Sequence, residues 1–189
     1  AAIRRVVEGA APGTEFGIVL AGDKAAVLEN LTPSKAQIYA KLDSISTSNV
    51  EGGALWGALK IAGASLASRS SLQPNIVVIA GSNDAVTGDM AAPARGEAVS
   101  SGAAVIVTAL TGHGLGTGPW NGLVDRTGGL LLATDDPLAL DEHILTAGSI
   151  LGNQQYRATY TSPAVAEAVA AQEAEEAAAE EEGRPAVDA

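Results

Sequence analysis

A polar corner follows an apolar run near the middle of the chain. The run is "NIVVIA", residues 75 to 80, and the corner contains Gly81, Ser82, Asn83 and Asp84. Hydroxyl, amide and carboxylate oxygens bind hard cations such as Mg²⁺, and Asn and Asp side chains also cap the backbone of turns. The corner therefore predicts either a ligand or metal site or a turn that is closed by its own side chains.

A glycine-rich loop, "TGHGLGTG" (111 to 118), follows a second apolar run. Such loops can cradle phosphate groups at the start of a helix. The glycine spacing is not G-x-G-x-x-G, no Lys follows as in a P-loop, and Asp135 or Asp136 only loosely supplies the acid of a dinucleotide site. A flexible loop explains the pattern better, and a nucleotide-binding α/β enzyme that uses residues 112 to 118 stays as an alternative.

Catalytic residues are not expected in this chain. His113 lies in the glycine-rich loop and His143 on a predicted helix, and neither comes with a positioned acid and nucleophile that would make a triad. Ser82 is not part of a G-x-S-x-G nucleophile elbow. These residues are therefore interpreted as polar loop or helix positions.

Two tryptophans and two acids remain to be assigned. Trp120 follows the glycine-rich loop and is a candidate for an exposed contact residue, with simple packing as the alternative. Trp56 lies on a predicted helix and is expected to be half-buried. Asp135 and Asp136 precede a proline at a predicted helix start, where carboxylates cap exposed amides.

Composition limits the class of protein. The 189 residues suffice for one domain and a tail, and aromatic residues make up only 3%, so the core must be built from Ala, Val, Leu and Ile. Of the net charge of −11, the residues after 163 carry −7, and no cluster of Lys and Arg is present, which argues against nucleic acid and anionic membranes as partners. Cysteine is absent, which excludes disulfides and thiolate metal sites.

Helix and strand patterns alternate along the chain, which indicates an α/β protein with a doubly wound, mostly parallel sheet. Ile3, Val6 and Val7 share one face of a first helix, and Thr32 and Pro33 are the expected N-cap and first residue of a second. The predicted strands are 16 to 21, 25 to 30, 75 to 80, 103 to 110 and 129 to 134, and further helices are predicted over 52 to 68, 90 to 101, 119 to 126 and 137 to 151.

The C-terminal part differs from the rest. Residues 154 to 160 alternate as a last edge strand would, and residues 164 to 189 are an acidic Ala/Glu-rich tail, expected to be a solvated helix or disordered linker. A helix that docks a partner is the alternative. We therefore predict a domain over residues 1 to 163 and a tail or linker over 164 to 189.

Several stretches together resemble the von Willebrand factor A domains of bacterial cell-envelope proteins. They are "FGIVLAGDKAAVLENLT", "GGALWGALKIA", "RTGGLLLATDDPLALDEHI" and "QYRATYTSP". The resemblance covers about residues 1 to 163. It implies a Rossmann-like α/β sheet with helices on both faces and a ligand site at the C-terminal ends of the strands.

The resemblance also implies where a Mg²⁺ would be bound, namely by oxygens from three loops. The family's first strand and its Asp-x-Ser-x-Ser loop have no counterpart here, its Thr position falls on Gly53, and its Asp position falls on Gly81. Glycine offers no side-chain oxygen, so we expect a degenerate site and no cofactor. Asp84 and Thr47, with Ser48 nearby, are weak candidates for a shifted ligand set.

These observations lead us to expect a non-catalytic protein-interaction module of the cell envelope or extracellular space, active in adhesion or assembly and independent of metal. The expected contact loops are 46 to 54, 81 to 88 and 112 to 121. Their candidate binding residues are Ser48, Asn49, Gly53, Gly81, Ser82, Asn83, Asp84, His113 and Trp120. A scaffold that acts through its acidic tail is a further alternative.

The chain begins with Ala inside a predicted helix and has no apolar run of 18 residues. We therefore expect a fragment whose export signal and any membrane anchor lie outside it. In the family the first strand lies centrally, between the counterparts of strands 16 to 21 and 75 to 80. Without it, two strand edges should be either unpaired or forced together, and the isolated chain should be poorly stable.

Overall fold

The computed structural model describes residues 1–45, 53–67, 69, 73–113 and 115–152. Six helices and five strands follow one another over these ranges. They are α1 (Ala2–Gly9), β1 (Phe16–Ala21), β2 (Ala25–Thr32), α2 (Lys35–Ser44), α3 (Leu55–Ala67), β3 (Asn75–Ala80), α4 (Ala91–Ser100), β4 (Ala104–Leu110), α5 (Gly118–Thr127), β5 (Leu130–Thr134) and α6 (Pro137–Gly152). The predicted strand over 154 to 160, the tail and the domain boundary at 163 lie outside the described residues.

Three of the strands form a parallel sheet in the order β3-β4-β5. Asn75 is in register with Ala104, and Ile106 is in register with Leu130. The strands are continuous apolar runs because helices cover both faces of the sheet, with α3, α4 and α5 on one face and α6 on the other. The predicted α/β class with a parallel sheet is confirmed.

The hairpin of β1 and β2 is a separate antiparallel sheet. Along the described strands, β1 pairs only with β2 and β3 pairs only with β4, so each keeps one edge without a strand partner. Helix α3 packs on both sheets, with Gly57 against Ala25 of β2 and Leu59 in the hydrophobic core that also contains Ile76 of β3. Among the described strands, β1 and β3 are not paired with each other.

Small residues let the helices on this face approach closely. A Cβ on Gly63 of α3 would lie 3.0 Å from the backbone nitrogen of Ala98 on α4, and Ala94 and Ala98 are completely buried. The contact is between backbones rather than between long side chains. This explains how a core with few aromatic residues still reaches close packing.

The predicted start of α2 and the predicted buried face of α1 were wrong in detail. The N-cap of α2 is Ser34, whose Oγ accepts a hydrogen bond from the amide of Gln37, whereas Thr32 is the last residue of β2 and its Oγ1 accepts from the amide of Ser34. On α1, Ile3 is exposed, and Ala2 and Val7 are the buried residues. The helix contacts α6 and α2; Val7 is buried and Val6 lies against Gly148 of α6, so of the predicted face only Ile3 is exposed.

Side chains of α2 hold α1 in place. Lys35 Nζ donates to the carbonyl oxygens of Glu8 (2.9 Å) and Ala10 (3.0 Å) at the C-terminal end of α1, where carbonyl groups have no partner in the helix. Arg4 pairs with Asp43 and lies over the ring of Tyr39. None of the helices in the described ranges combines the length and apolar composition that crossing a bilayer requires.

Candidate functional site

The loop after β3 is organised around the carboxylate of Asp84. Its Oδ2 accepts a hydrogen bond from the backbone N–H of Trp56 at 2.6 Å, and its Oδ1 accepts from the N–H of Val86 at 2.9 Å. The amide and the hydroxyl of Thr87 also donate to Asp84, and the same hydroxyl oxygen accepts from the amide of Gly57 at 3.0 Å. Asp84 and Thr87 therefore bind amides in the first turn of α3.

This arrangement replaces a local helix cap. Helix α3 begins at Leu55 after two small residues, Gly53 and Ala54, whose side chains have no oxygen. The first amides of a helix have no partner within the helix, so a carboxylate from another loop satisfies them here. The helix dipole adds to the stabilisation, because the carboxylate lies at its positive end.

These hydrogen bonds also set the acidity of Asp84. Burial, the largest single effect, raises the pKa of the carboxyl group, but the hydrogen bonds from Thr87, Trp56 and Val86 together lower it by more. The pKa of Asp84 therefore lies below its usual value. The carboxylate stays ionised at neutral pH and is engaged with its own chain.

Gly53 and Gly81 differ in the space available for a side chain. Gly53 forms a parallel bridge with Asp84, and a Cβ built on it would lie 2.1 Å from the carbonyl oxygen of Ala21, so only glycine fits. A Cβ on Gly81 would meet no atom within 4 Å. Neither residue offers a side-chain oxygen, and the described residues contain no group of three or more His, Asp or Glu side chains placed to hold a metal ion.

Hydrogen bonds connect the loops at the C-terminal ends of the parallel strands. Asn83 Oδ1, after β3, accepts from the amide of Gly116 after β4 at 2.9 Å. Thr111 Oγ1, after β4, donates to the carbonyl of Thr134 at the end of β5 at 3.2 Å. Asn83 therefore joins two of the predicted contact loops, 81 to 88 and 112 to 121. Through these two hydrogen bonds, the segments that follow β3 and β4 and the end of β5 form one connected edge.

Trp120 is a core residue, and the prediction that it is an exposed contact residue was wrong. Its side chain is 2% exposed and stacks on Trp56, with ring centroids 4.3 Å apart and an angle of 17° between the planes. Trp56 is also buried rather than half-buried, and the guanidinium of Arg95 lies 5.7 Å from the centre of its ring. Trp120 lies on the buried face of α5, together with Leu123 and Val124.

The structure describes only some of the other predicted site residues. Ser82 is half-buried in the loop after β3, and the backbone of His113 ends a short 3₁₀ turn after β4. Thr47, Ser48, Asn49 and the side chain of His113 lie outside the described residues. His143 is on α6, with a buried Nδ1 that has no hydrogen-bond partner in the described part of the chain.

Two exposed apolar residues at this edge were not predicted. Val86 is 49% exposed in the loop after β3, and Leu138 is 82% exposed in the first turn of α6. Asp136 Oδ1 accepts from the amide of Leu138 at 2.8 Å, which confirms that Asp136 caps this helix. With the exposed acids Asp89 and Asp135, these residues make up what we call the loop-edge surface: Val86, Asp89, Asp135, Asp136 and Leu138.

Solved structures of von Willebrand factor type A domains share this architecture. A von Willebrand factor type A protein from Catenulispora acidiphila superposes with a TM-score of 0.65 and 16% identity over 78% of this chain, which spans 36% of that protein. The conserved hypothetical protein BatB from Bacteroides thetaiotaomicron superposes with a TM-score of 0.60 and 18% sequence identity. That match covers 79% of this chain and 84% of BatB. The SpRpn10 VWA domain superposes with a TM-score of 0.59 and 14% sequence identity. That match covers 76% of this chain and 78% of the other.

No family model and no curated protein matches the sequence. At identities below 20%, the structural likeness establishes the architecture rather than an activity. The resemblance noted in the sequence is confirmed at that level. The chain has the fold of a von Willebrand factor A domain.

Proposed function

We propose that this chain is a non-catalytic protein-interaction module that binds a protein partner through the loop-edge surface. One observation carries the proposal: Val86, in the loop after β3, and Leu138, in the first turn of α6, are exposed at an edge whose loops are joined by hydrogen bonds. Apolar side chains held on a connected edge and flanked by charges are typical of protein contact sites. Asp89, Asp135 and Asp136 favour a partner whose surface is basic around an apolar centre.

Independence from metal is the second part of the proposal. The carboxylate of Asp84 already accepts hydrogen bonds from Trp56, Val86 and Thr87, and binding a cation would require it to release at least some of them. Gly53 and Gly81 supply no side-chain oxygen in compensation. A hard divalent cation needs about six oxygen ligands, so this corner is a poor site for one.

The cell envelope is the proposed location. Two structures with the same fold are BatB and, with a TM-score of 0.56, an aerotolerance-related membrane protein from Bacteroides fragilis. The SpRpn10 VWA domain has the same fold as well. The name of the Bacteroides fragilis membrane protein supports the location, and adhesion or assembly is the role that we propose there.

The nucleotide-binding alternative has weaker support. A phosphate-binding loop needs several free backbone amides. In the loop after β4, the amide of Gly116 donates to Asn83. A nucleotide would have to displace this side chain before it could use that amide.

The test is affinity capture from envelope extract of the source organism, quantified by mass spectrometry. Wild type should enrich a protein that the double variant Val86→Ser, Leu138→Ser enriches at least tenfold less. Val27→Ser is the matched control, because Val27 is exposed to a similar degree (44%) but lies on the hairpin. Addition of EDTA should leave capture unchanged. Equal capture by the double variant, or loss of capture in EDTA, would contradict the proposal.

A further inference from the structure

The two halves of helix α5 are anchored very differently. In the C-terminal half, Leu123 and Val124 are buried, and Thr127 Oγ1 accepts a hydrogen bond from the amide of Val105 on β4 at 3.3 Å. The same hydroxyl donates to the carbonyl of Leu123 at 2.9 Å. The helix then ends at Gly128, whose φ of 66° is the left-handed conformation of a C-terminal cap. This half of α5 is therefore fixed to the sheet and closed by its own cap.

The N-terminal half of α5, residues 118 to 122, has a single buried side chain. Trp120 is 2% exposed and stacks on Trp56. The other four residues of this half are exposed, namely Gly118, Pro119, Asn121 and Gly122. The N-cap residue, Thr117, makes no side-chain hydrogen bond to the first amides of the helix. Trp120 is therefore the side chain that holds this half of the helix on the core.

A glycine lies on either side of Trp120, and the fold does not require glycine at either position. A Cβ on Gly118 or on Gly122 would meet no atom within 4 Å. Neither residue has the positive φ that glycine adopts more readily than other residues do. Glycine weakens a helix because it loses the most backbone entropy when it is fixed. At these positions it makes the N-terminal half of α5 easier to unfold and adds nothing to the packing.

Opening this half of α5 requires much less than unfolding the domain. It exposes one indole and releases the backbone of five residues, two of which are glycine. Unfolding the domain also exposes the core strands, in which Val105 and Val107 are completely buried. Segments with few buried contacts open locally more often than core strands do.

We infer that residues 118 to 122 open and close as one unit while the rest of the domain stays folded. Gly118 and Gly122 are the hinges of this unit. Release of Trp120 from its stack on Trp56 is the step that opening requires. We call residues 118 to 122 the hinged segment.

The hinged segment adjoins the hydrogen-bonded edge of the sheet. The amide of Gly116, two residues before it, donates to Asn83 Oδ1 at 2.9 Å, and Pro119 and Asn121 are exposed on the segment itself. A molecule that contacts these two residues only in the closed form would shift the equilibrium toward that form. The fold therefore contains a conformational equilibrium that binding at this edge can bias. The opening itself is a property of the chain alone and does not depend on the function proposed above.

Hydrogen exchange of the full chain, followed by NMR at a series of urea concentrations, tests the inference. The indole N–H of Trp120 should have a protection factor at least tenfold lower than the amides of Val105 and Val107. Its exchange should depend little on urea, because local opening exposes little surface. Equal protection with the same urea dependence would show exchange through global unfolding alone and would overturn the inference. An indole N–H without protection would also overturn it, because the closed form would then not predominate.

Two alanine variants test the hinge. Gly122→Ala should slow exchange of the Trp120 indole about fivefold, as the difference in helix propensity between Gly and Ala predicts. Gly96→Ala is the matched control, because Gly96 is also an exposed helical glycine with no atom within 4 Å of an added Cβ, but it lies on α4. It should leave exchange of the indole unchanged.

Both variants should stabilise the whole domain by similar amounts, so they separate local opening from global unfolding. An equal effect of Gly122→Ala and Gly96→Ala on the Trp120 indole would indicate that it exchanges only through global unfolding. No effect of Gly122→Ala would indicate that the indole exchanges without opening of the hinged segment. Either result would contradict the inference.

Discussion

The carboxylate of Asp84 lies 2.6 Å from the backbone nitrogen of Trp56, a residue 28 positions earlier in the chain. This hydrogen bond joins the loop after β3 to the start of α3, the helix that packs on both sheets. The polar corner after β3 thus has a structural role that its residue types alone did not distinguish from ligand binding.

Replacing Asp84 with Ala should destabilise the fold by about 2 to 3 kcal/mol. The change removes the cap of α3 and leaves partly buried amides without an acceptor. Urea denaturation at neutral pH measures the effect. Asp89→Ala is the control, because Asp89 is exposed in the same loop, and it should change the free energy of unfolding by less than about 0.5 kcal/mol. Equal effects of the two substitutions would contradict the assigned role of Asp84.

The pH dependence of stability should also report on Asp84. Its pKa is lower in the folded state than the unfolded value of about 3.9, so its stabilisation is complete above that value and is lost as the pH falls through the folded pKa. The difference in unfolding free energy between wild type and Asp84→Asn should therefore be constant above about pH 5 and shrink below about pH 4. Urea titrations at pH 7, 5 and 3 measure it; a difference that stays constant down to pH 3 would be inconsistent with a lowered pKa.

The two glycines at the expected metal positions should respond differently to alanine. Gly53→Ala places a Cβ 2.1 Å from the carbonyl oxygen of Ala21 and should cost about 2 kcal/mol or more, because backbone must move. Gly81→Ala places its Cβ in open space and should change stability by less than about 0.5 kcal/mol. Thermal or urea unfolding of both variants tests this contrast, and a tolerated Gly53→Ala would argue against the close approach.

Substitution of Trp120 should affect folding rather than recognition. Trp120→Ala removes a buried indole that stacks on Trp56 and should cost about 3 to 5 kcal/mol. Trp120→Phe keeps most of the apolar volume and should cost less, while the circular dichroism signal of the coupled indole pair disappears. Partner capture by the folded Trp120→Phe variant should match that of wild type. A specific loss of capture with unchanged stability would return Trp120 to the contact surface.

Much of the secondary structure followed from the sequence because its causes are local. The apolar runs that became β3, β4 and β5 and the hairpin turn between β1 and β2 are properties of short stretches, and the strands lie where these patterns predicted them. The start of α2 shows the limit of this reasoning. Thr32 and Ser34 both suit an N-cap by residue type, and the end of the β2 pairing determined that Ser34 takes the position.

The sequence by itself determined the α/β architecture, the absence of a side-chain oxygen at Gly53 and Gly81, and the shortage of aromatic core residues. Only the tertiary structure decided that Asp84 binds the start of α3 and that Trp120 is stacked in the core. The reason is physical: each of these facts depends on atoms that are distant in the chain and are brought within a few ångströms by helix packing, and no local pattern encodes such a distance.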